Sequence, residues 1–251
     1  MIRQQGATKL FFCVLICVVV PFSWADGRQF FLEDRSHTRI GVFAGTLDPT
    51  HDNHTSIVEA AIRQERLHVS YVMANLASPH KPEATPYEIR KEMAMAAFEH
   101  LPHARFPDAA LEQAYSGWDI LLVIKELMRR FPQADIYHVL GSDSITRYGS
   151  DFEARFNHRN DDFVRRYKMV VNIREKGDER LLPKSYGLVE VIPLHTNNDS
   201  LSSTVIRNAV RSGKKPDGVN PKVFEVMKRE RLYLPKVSSG KCVRATGKKP
   251  Q

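Results

Sequence analysis

Between residues 39 and 235 the apolar positions change spacing repeatedly, and each change marks a new element. Arg39-Ile40-Gly41-Val42-Phe43-Ala44 is a short apolar run of strand type, and the stretch from Gly45 to Asn53 is rich in turn formers. His54 to Arg66 then places Ile57, Val58, Ala61 and Ile62 on one helical side. A second strand is expected over 68–76, followed by a loop holding Pro79, Pro82 and Pro86 and a helix over 87–100. The segment 117–131 puts Ile120, Leu121, Ile124, Leu127, Met128 and Phe131 on one stripe, with Lys125, Glu126, Arg129 and Arg130 outside it. Further strands are expected over 136–140, 168–173 and 188–192, and helices over 203–212 and 221–230, the last with Pro221 in its first turn. Residues 151–166 are dense in charge and read as a solvated helical excursion. Strands and helices alternating at this pitch predict an α/β fold: a single domain built on a doubly wound parallel sheet, with its ligand site at the carboxyl ends of the strands.

The pattern before residue 38 is different. Arg3 and Lys9 precede an apolar run from Leu10 to Val20 that is too short to cross about 30 Å of hydrocarbon as a helix. Pro21 stops it, and Ser23-Trp24-Ala25 supplies small residues at the two positions read by a signal peptidase. Residues 1–25 therefore read as a cleaved signal peptide, giving an exported protein without stable membrane insertion, or a cytoplasmic one if the signal is unused. Residues 26–37 read as an extension, 38–235 as the folded domain and 236–251 as a basic disordered tail. Cys13 and Cys17 fall in the signal, so Cys242 alone would remain and no internal disulfide could form.

Charge sharpens this division. The 251 residues carry a net +8, which by itself suggests a polyanionic partner. Residues 1–25 hold +2 and residues 236–251 hold +5, neither with any acid, so residues 26–235 keep only +1. The body is nearly neutral, and a nucleic-acid partner is not expected. With 42% hydrophobic and 26% charged residues, the composition is that of a globular chain.

Two segments carry candidate chemistry. Gly45-Thr46-Leu47-Asp48-Pro49-Thr50-His51-Asp52-Asn53-His54 follows the first strand directly. Glycine permits close backbone approach, and two histidines three apart share one side of a starting helix, where free N–H groups and the helix dipole already favour anions. Zinc is an alternative for an HxxH pair, but the glutamate of HExxH and nearby cysteines are missing. Taken alone, the pair also fits an ordinary surface. The second segment, Leu201-Ser202-Ser203-Thr204-Val205-Ile206-Arg207, leads three hydroxyls into a helix with an arginine one turn on. As structure this is an N-cap; as chemistry it is a polyphosphate cradle.

Together the two segments resemble the nucleotidyltransferase superfamily marked by GTFDPxHxGH and ISSTxIR motifs, and within it the bacterial nicotinate or nicotinamide mononucleotide adenylyltransferases. The resemblance spans roughly residues 38–235. Pro79-His80-Lys81 resembles the family's PPHK, Arg90 to Ala97 its RxxMxxxA helix, Gly141-Ser142-Asp143-Ser144 its GxDS turn, and Arg231-Leu232-Tyr233 its GLY close. What the resemblance implies is a Rossmann-like fold and transfer of the AMP moiety of ATP to a mononucleotide, releasing pyrophosphate. Mg2+ would be carried by the ATP phosphates, and no metal would be held by the protein. It implies His51, His54 and Arg207 as catalytic residues. ATP would be bound by Gly45, Thr46, Asp48, Lys81, Gly141, Asp143, Ser203 and Thr204, and the acceptor would meet Trp118, Phe152 and Arg174.

The chain departs from the motif at Ala44, Leu47 and Asn53, and Asn53 adds a side chain where the family has glycine. Asp151 and Phe152 stand where many members carry a tryptophan. Export also sets the reading a problem, because ATP is scarce outside the cytoplasm. Two alternatives stay open: a related nucleotidyltransferase with another phosphate acceptor, and an exported nucleotide-binding protein without catalysis.

Overall fold

The structure is a computed structural model that describes residues 38–76, 81–115, 119–145, 161–173, 185–186, 189–196 and 201–234. The chain divides into two units, Met1–Asp34 and Arg35–Gln251, and all described residues fall in the second. The signal segment and the basic tail lie outside the described residues.

The elements run β1 (Arg39–Gly45), α1 (Asp52–Glu65), β2 (Val69–Ala74), α2 (Tyr87–Phe98), β3 (Ala104–Arg105), α3 (Ala109–Ala114), α4 (Ile120–Arg130) and β4 (Asp135–Gly141). They continue α5 (Asp161–Arg166), β5 (Tyr167–Ile173), β6 (Ser185–Tyr186), β7 (Val189–His195), α6 (Ser203–Arg211) and α7 (Pro221–Arg229). The sheet order is β3-β2-β1-β4-β5-β7-β6. The pairs from β3 through β7 are parallel, which is the doubly wound arrangement expected. Among the described residues only the two-residue edge strand β6 runs antiparallel, against β7.

Alternation along each strand separates two cores. Ile40 and Val42 of β1 join Leu121, Ile124 and Leu127 of α4 on one face of the sheet. Phe43 joins Ile57 and Val58 of α1, Met93 of α2 and Val226 of α7 on the other. Gly41 lies where α1 returns to β2: a Cβ there would come within 2.7 Å of Leu67 Cδ1. With helices on both faces, the chain leaves β1 toward β2 and later returns to β4 on its other side. This reversal opens a crevice at the carboxyl ends of β1 and β4.

Several boundaries differ from those read in the sequence. β7 extends through Pro193 to His195, although proline argues against a strand interior; β6 pairs only with Val189 and Glu190, so it needs no N–H at position 193. β3 and α3 are too short for a periodic signal, and α3 is fixed by a cap in which Asp108 Oδ1 accepts from Leu111 N–H at 3.0 Å. The charged excursion is not wholly solvated where it is described. Phe163 and Val164 of α5 are buried, and Arg166 donates to the carbonyls of Met128 (3.2 Å), Phe131 (2.8 Å) and Ala134 (3.0 Å), closing the end of α4.

Candidate active site

The crevice is built from the chain that leaves β1. Gly45 ends the strand, and its carbonyl accepts from Asn75 N–H at 3.0 Å, fastening it to the end of β2. Leu47 takes a left-handed conformation (φ 54°), and the Asp48–Pro49 bond is cis. His51, extended at φ −147°, then occupies the N-cap of α1. His51 N–H donates to His54 Nδ1 at 3.2 Å, which in the neutral ring directs the proton to Nε2. The two imidazoles stack with centroids 3.7 Å apart, and His54 also meets the Phe43 ring at 5.9 Å. His51 is buried, whereas His54 is half-buried at the head of the helix.

The second motif docks onto the first. Ser202 caps α6 by accepting from Val205 N–H at 3.3 Å. One residue on, Ser203 Oγ donates to the Pro49 carbonyl at 3.0 Å. Arg207 Nη1 donates to the Asp48 carbonyl at 2.7 Å, and its Nη2 donates to Thr204 Oγ1 at 3.0 Å. Two segments some 150 residues apart thus meet on the Asp48-Pro49 loop, which leads directly into the stacked imidazoles at the head of α1 and carries the guanidinium of α6 on its Asp48 carbonyl. Such an arrangement binds spread negative charge. Because the Ser203 proton is committed to Pro49, this residue serves first as the tie between the motifs.

A third strap comes from the loop before α7. Gly218 adopts φ +70°, its carbonyl accepts from Asp52 N–H at 2.9 Å, and a Cβ on it would collide with Leu201 Cδ2. Asn53, the departure from the motif, is buried rather than projecting into the crevice. Its Nδ2 donates to the Leu201 carbonyl at 3.4 Å, and its Oδ1 accepts from Thr196 Oγ1 at 3.5 Å. Thr196 is also within 3.2 Å of Asn172 Oδ1 on β5.

Asp48, expected at ATP, turns its carboxylate inward. Oδ2 accepts from Thr85 N–H at 3.1 Å, and Oδ1 accepts from the Tyr233 hydroxyl. Both oxygens are engaged, so Asp48 shapes the loop from beneath. Arg90 does the same from α2: Nη1 reaches the Thr46 carbonyl (2.7 Å), Nε the Thr85 carbonyl (2.6 Å) and Nη2 the Asn75 carbonyl (2.8 Å). Burial pulls the Arg90 pKa below the usual arginine value, while the Asp48 charge opposes that shift. Arg90 and Tyr233 were not assigned roles from sequence. A signal for Arg90 was present, since it shares the buried side of α2 with Met93, Ala94 and Ala97.

Gly141 ends β4 beside β1, and Asp143 follows it in a short helical stretch over 142–145, half-buried at the same sheet end. Lys81 lies in the β2–α2 loop at that end as well. Trp118, Phe152 and Arg174, expected at the acceptor, lie outside the described residues. Among the described residues no group of three or more His, Cys, Asp or Glu side chains is placed to hold a metal ion, and no helix is long and apolar enough to cross a membrane.

A family model described as cytidylyltransferase-like matches residues 42–209, from the middle of β1 to the last turn of α6. The chain belongs to that cytidylyltransferase-like family. It is therefore a nucleotidyltransferase, as its two motifs imply. It is similar to a probable nicotinate-nucleotide adenylyltransferase of Thermus thermophilus, 28% identical over 191 residues that cover 75% of this chain and 95% of the relative. A protein of the same description from Bacillus pumilus is 27% identical over 199 residues, covering 78% and 98%. The fold matches that of Plasmodium falciparum nicotinic acid mononucleotide adenylyltransferase complexed with NaAD, with a TM-score of 0.57 at 15% identity over 78% of this chain and 98% of that one.

Proposed function

We propose that this nucleotidyltransferase transfers the AMP moiety of ATP to nicotinate mononucleotide and releases pyrophosphate. The observation that carries the reading is the docking of the two motifs, with Arg207 on the Asp48 carbonyl and Ser203 on the Pro49 carbonyl beside the stacked His51 and His54. The names of the sequence relatives favour nicotinate over nicotinamide as the base.

The chemistry follows from the groups present. An oxygen of the acceptor's 5′-phosphate attacks the α-phosphorus of ATP in line, the α–β bridging bond breaks, and pyrophosphate leaves. No covalent enzyme intermediate is required. Imidazole, guanidinium and helix N–H groups stabilise charge spread over the phosphate oxygens and hold the reactants in line, so catalysis rests on positioning and electrostatics. His54, with Nε2 carrying the proton, donates to the α-phosphate, and Arg207, Thr204 and the α6 N-terminus hold the β- and γ-phosphates. Mg2+ fits this site as an ion carried by the triphosphate, because the donors here are suited to anions and both oxygens of Asp48 are engaged. It would neutralise phosphate charge there.

The amino-terminal segment supports a second, separable part of the proposal, that residues 1–25 export the enzyme. The activity is tested by screening ATP and CTP against nicotinate mononucleotide, nicotinamide mononucleotide, pantetheine phosphate and sugar phosphates for pyrophosphate release. Turnover with ATP and nicotinate mononucleotide is expected. Turnover confined to another acceptor, or nucleotide binding without turnover, contradicts the proposal.

A further inference from the structure

The described chain ends in a turn that is costly to make. After α7, Leu232 N–H donates to the Met227 carbonyl at 2.9 Å and Arg231 N–H to the Lys228 carbonyl at 3.1 Å, a helix-ending pattern whose left-handed residue is usually glycine. Here that residue is Arg231, at φ 52°, and Tyr233 is left-handed as well, at φ 54°. Two non-glycine residues in this region require compensation from the contacts they create.

Those contacts centre on Asp48. The Tyr233 hydroxyl donates to Asp48 Oδ1 and lies 3.3 Å from Thr85 Oγ1, while Thr85 N–H holds Asp48 Oδ2. The main-chain carbonyl of the same Asp48 receives Arg207 Nη1. Asp48 is thus held by its side chain from below and serves Arg207 with its backbone above. Burial and the adjacent Asp48 charge raise the Tyr233 pKa, so the hydroxyl remains a donor.

We infer that Tyr233 is a positioning residue for phosphate handling: by clamping the Asp48 carboxylate it fixes the carbonyl that orients Arg207 and the loop that presents His51 and His54. The inference rests on the proposed adenylyl transfer for its catalytic readout, but its structural readout is independent of that. The rival is a plain anchoring of the carboxyl-terminal segment. Anchoring alone would lower the melting temperature of Tyr233→Phe and leave the activity of each folded molecule unchanged.

The test compares the full chain with Tyr233→Phe, Arg207→Ala and the double variant. The measurements are melting temperature, kcat and KM for ATP, and hydrogen exchange over 46–54 and 203–207. Tyr233→Phe is expected to lower kcat on the order of tenfold in the parent, to cost several-fold less once Arg207 is gone because only the histidine loop is then left to disturb, and to speed exchange over 46–54 several-fold while β5 keeps its protection. Unchanged kcat, equal losses with and without Arg207, or unchanged exchange over 46–54 overturns the inference. If the parent turns over no acceptor, the functional proposal fails and exchange alone decides: faster exchange over 46–54 supports the clamp, and unchanged exchange overturns it.

Discussion

Arg207 Nη1 stands 2.7 Å from the main-chain oxygen of Asp48, a residue 159 positions earlier in the chain. This bond joins the carboxyl-terminal cradle to the amino-terminal histidine loop. With Ser203 on Pro49 it makes one site out of two motifs that are individually ambiguous.

His54 separates catalysis from helix capping. Its Nδ1 accepts from His51 N–H, whereas Nε2 is the atom assigned to the phosphate. In His54→Asn the amide oxygen can still accept from position 51, but no group reaches where Nε2 stood. This variant should retain stability to within about 1 kcal/mol and lose on the order of 10²-fold in kcat. Thermal melting and pyrophosphate release measure the two effects, and a variant with parental turnover removes His54 from the mechanism.

Gly218 tests the strap beneath the site. It is left-handed, abuts Leu201 and supplies the carbonyl that receives Asp52 N–H at the head of α1. Gly218→Ala adds both backbone strain and a collision, so a loss of about 2 kcal/mol or more is expected. Urea unfolding should show it, accompanied by a higher KM for ATP because Leu201 leads into the cradle. Unchanged stability would mean that the 201–218 contact yields freely.

Much of this architecture was legible in the sequence, and what was hidden has a physical reason. The strands β1, β4 and β5 are continuous buried runs and α4 carries a clear apolar stripe, so pattern alone places them. β3 and β6 are two residues each and arise only through pairing with a neighbour. Motif residues such as His51, His54 and Arg207 were found because their local spacing carries the signal. Arg90 and Tyr233 stand in segments that resemble family motifs, but their work is done through contacts with Thr46, Asn75 and Asp48 in distant segments, which local spacing does not report. The same holds for Asn53, whose side chain looked like an obstruction in the motif and in the fold is a buried bridge to Leu201 and Thr196.

His138 gives the fold a pH signature. It lies buried in β4 with Nδ1 2.8 Å from the Tyr167 hydroxyl, and burial pushes its pKa down to about 4. The unfolded chain, with a histidine pKa of about 6.5, takes up a proton between pH 6.5 and 4 that the folded chain refuses. Stability should therefore be full above pH 6.5 and fall through this window, by up to about 3 kcal/mol from this one residue. Urea midpoints at pH 7 and 4.5 should differ less in His138→Gln than in the parent. Equal differences would show that other groups set the acid limb.

The export proposal has its own readout. Amino-terminal sequencing of the protein isolated from its native cells should begin at Asp26, directly after Ser23-Trp24-Ala25. Met1 found intact on a protein in the cytoplasm contradicts it.

Transfer of AMP to nicotinate mononucleotide by the two docked motifs is read out by incubating the purified protein with nicotinate mononucleotide and ATP labelled at the α-phosphate. The label is expected in nicotinate adenine dinucleotide, in one-to-one ratio with released pyrophosphate. Label that stays in ATP, or that leaves as free AMP with no dinucleotide formed, would contradict it.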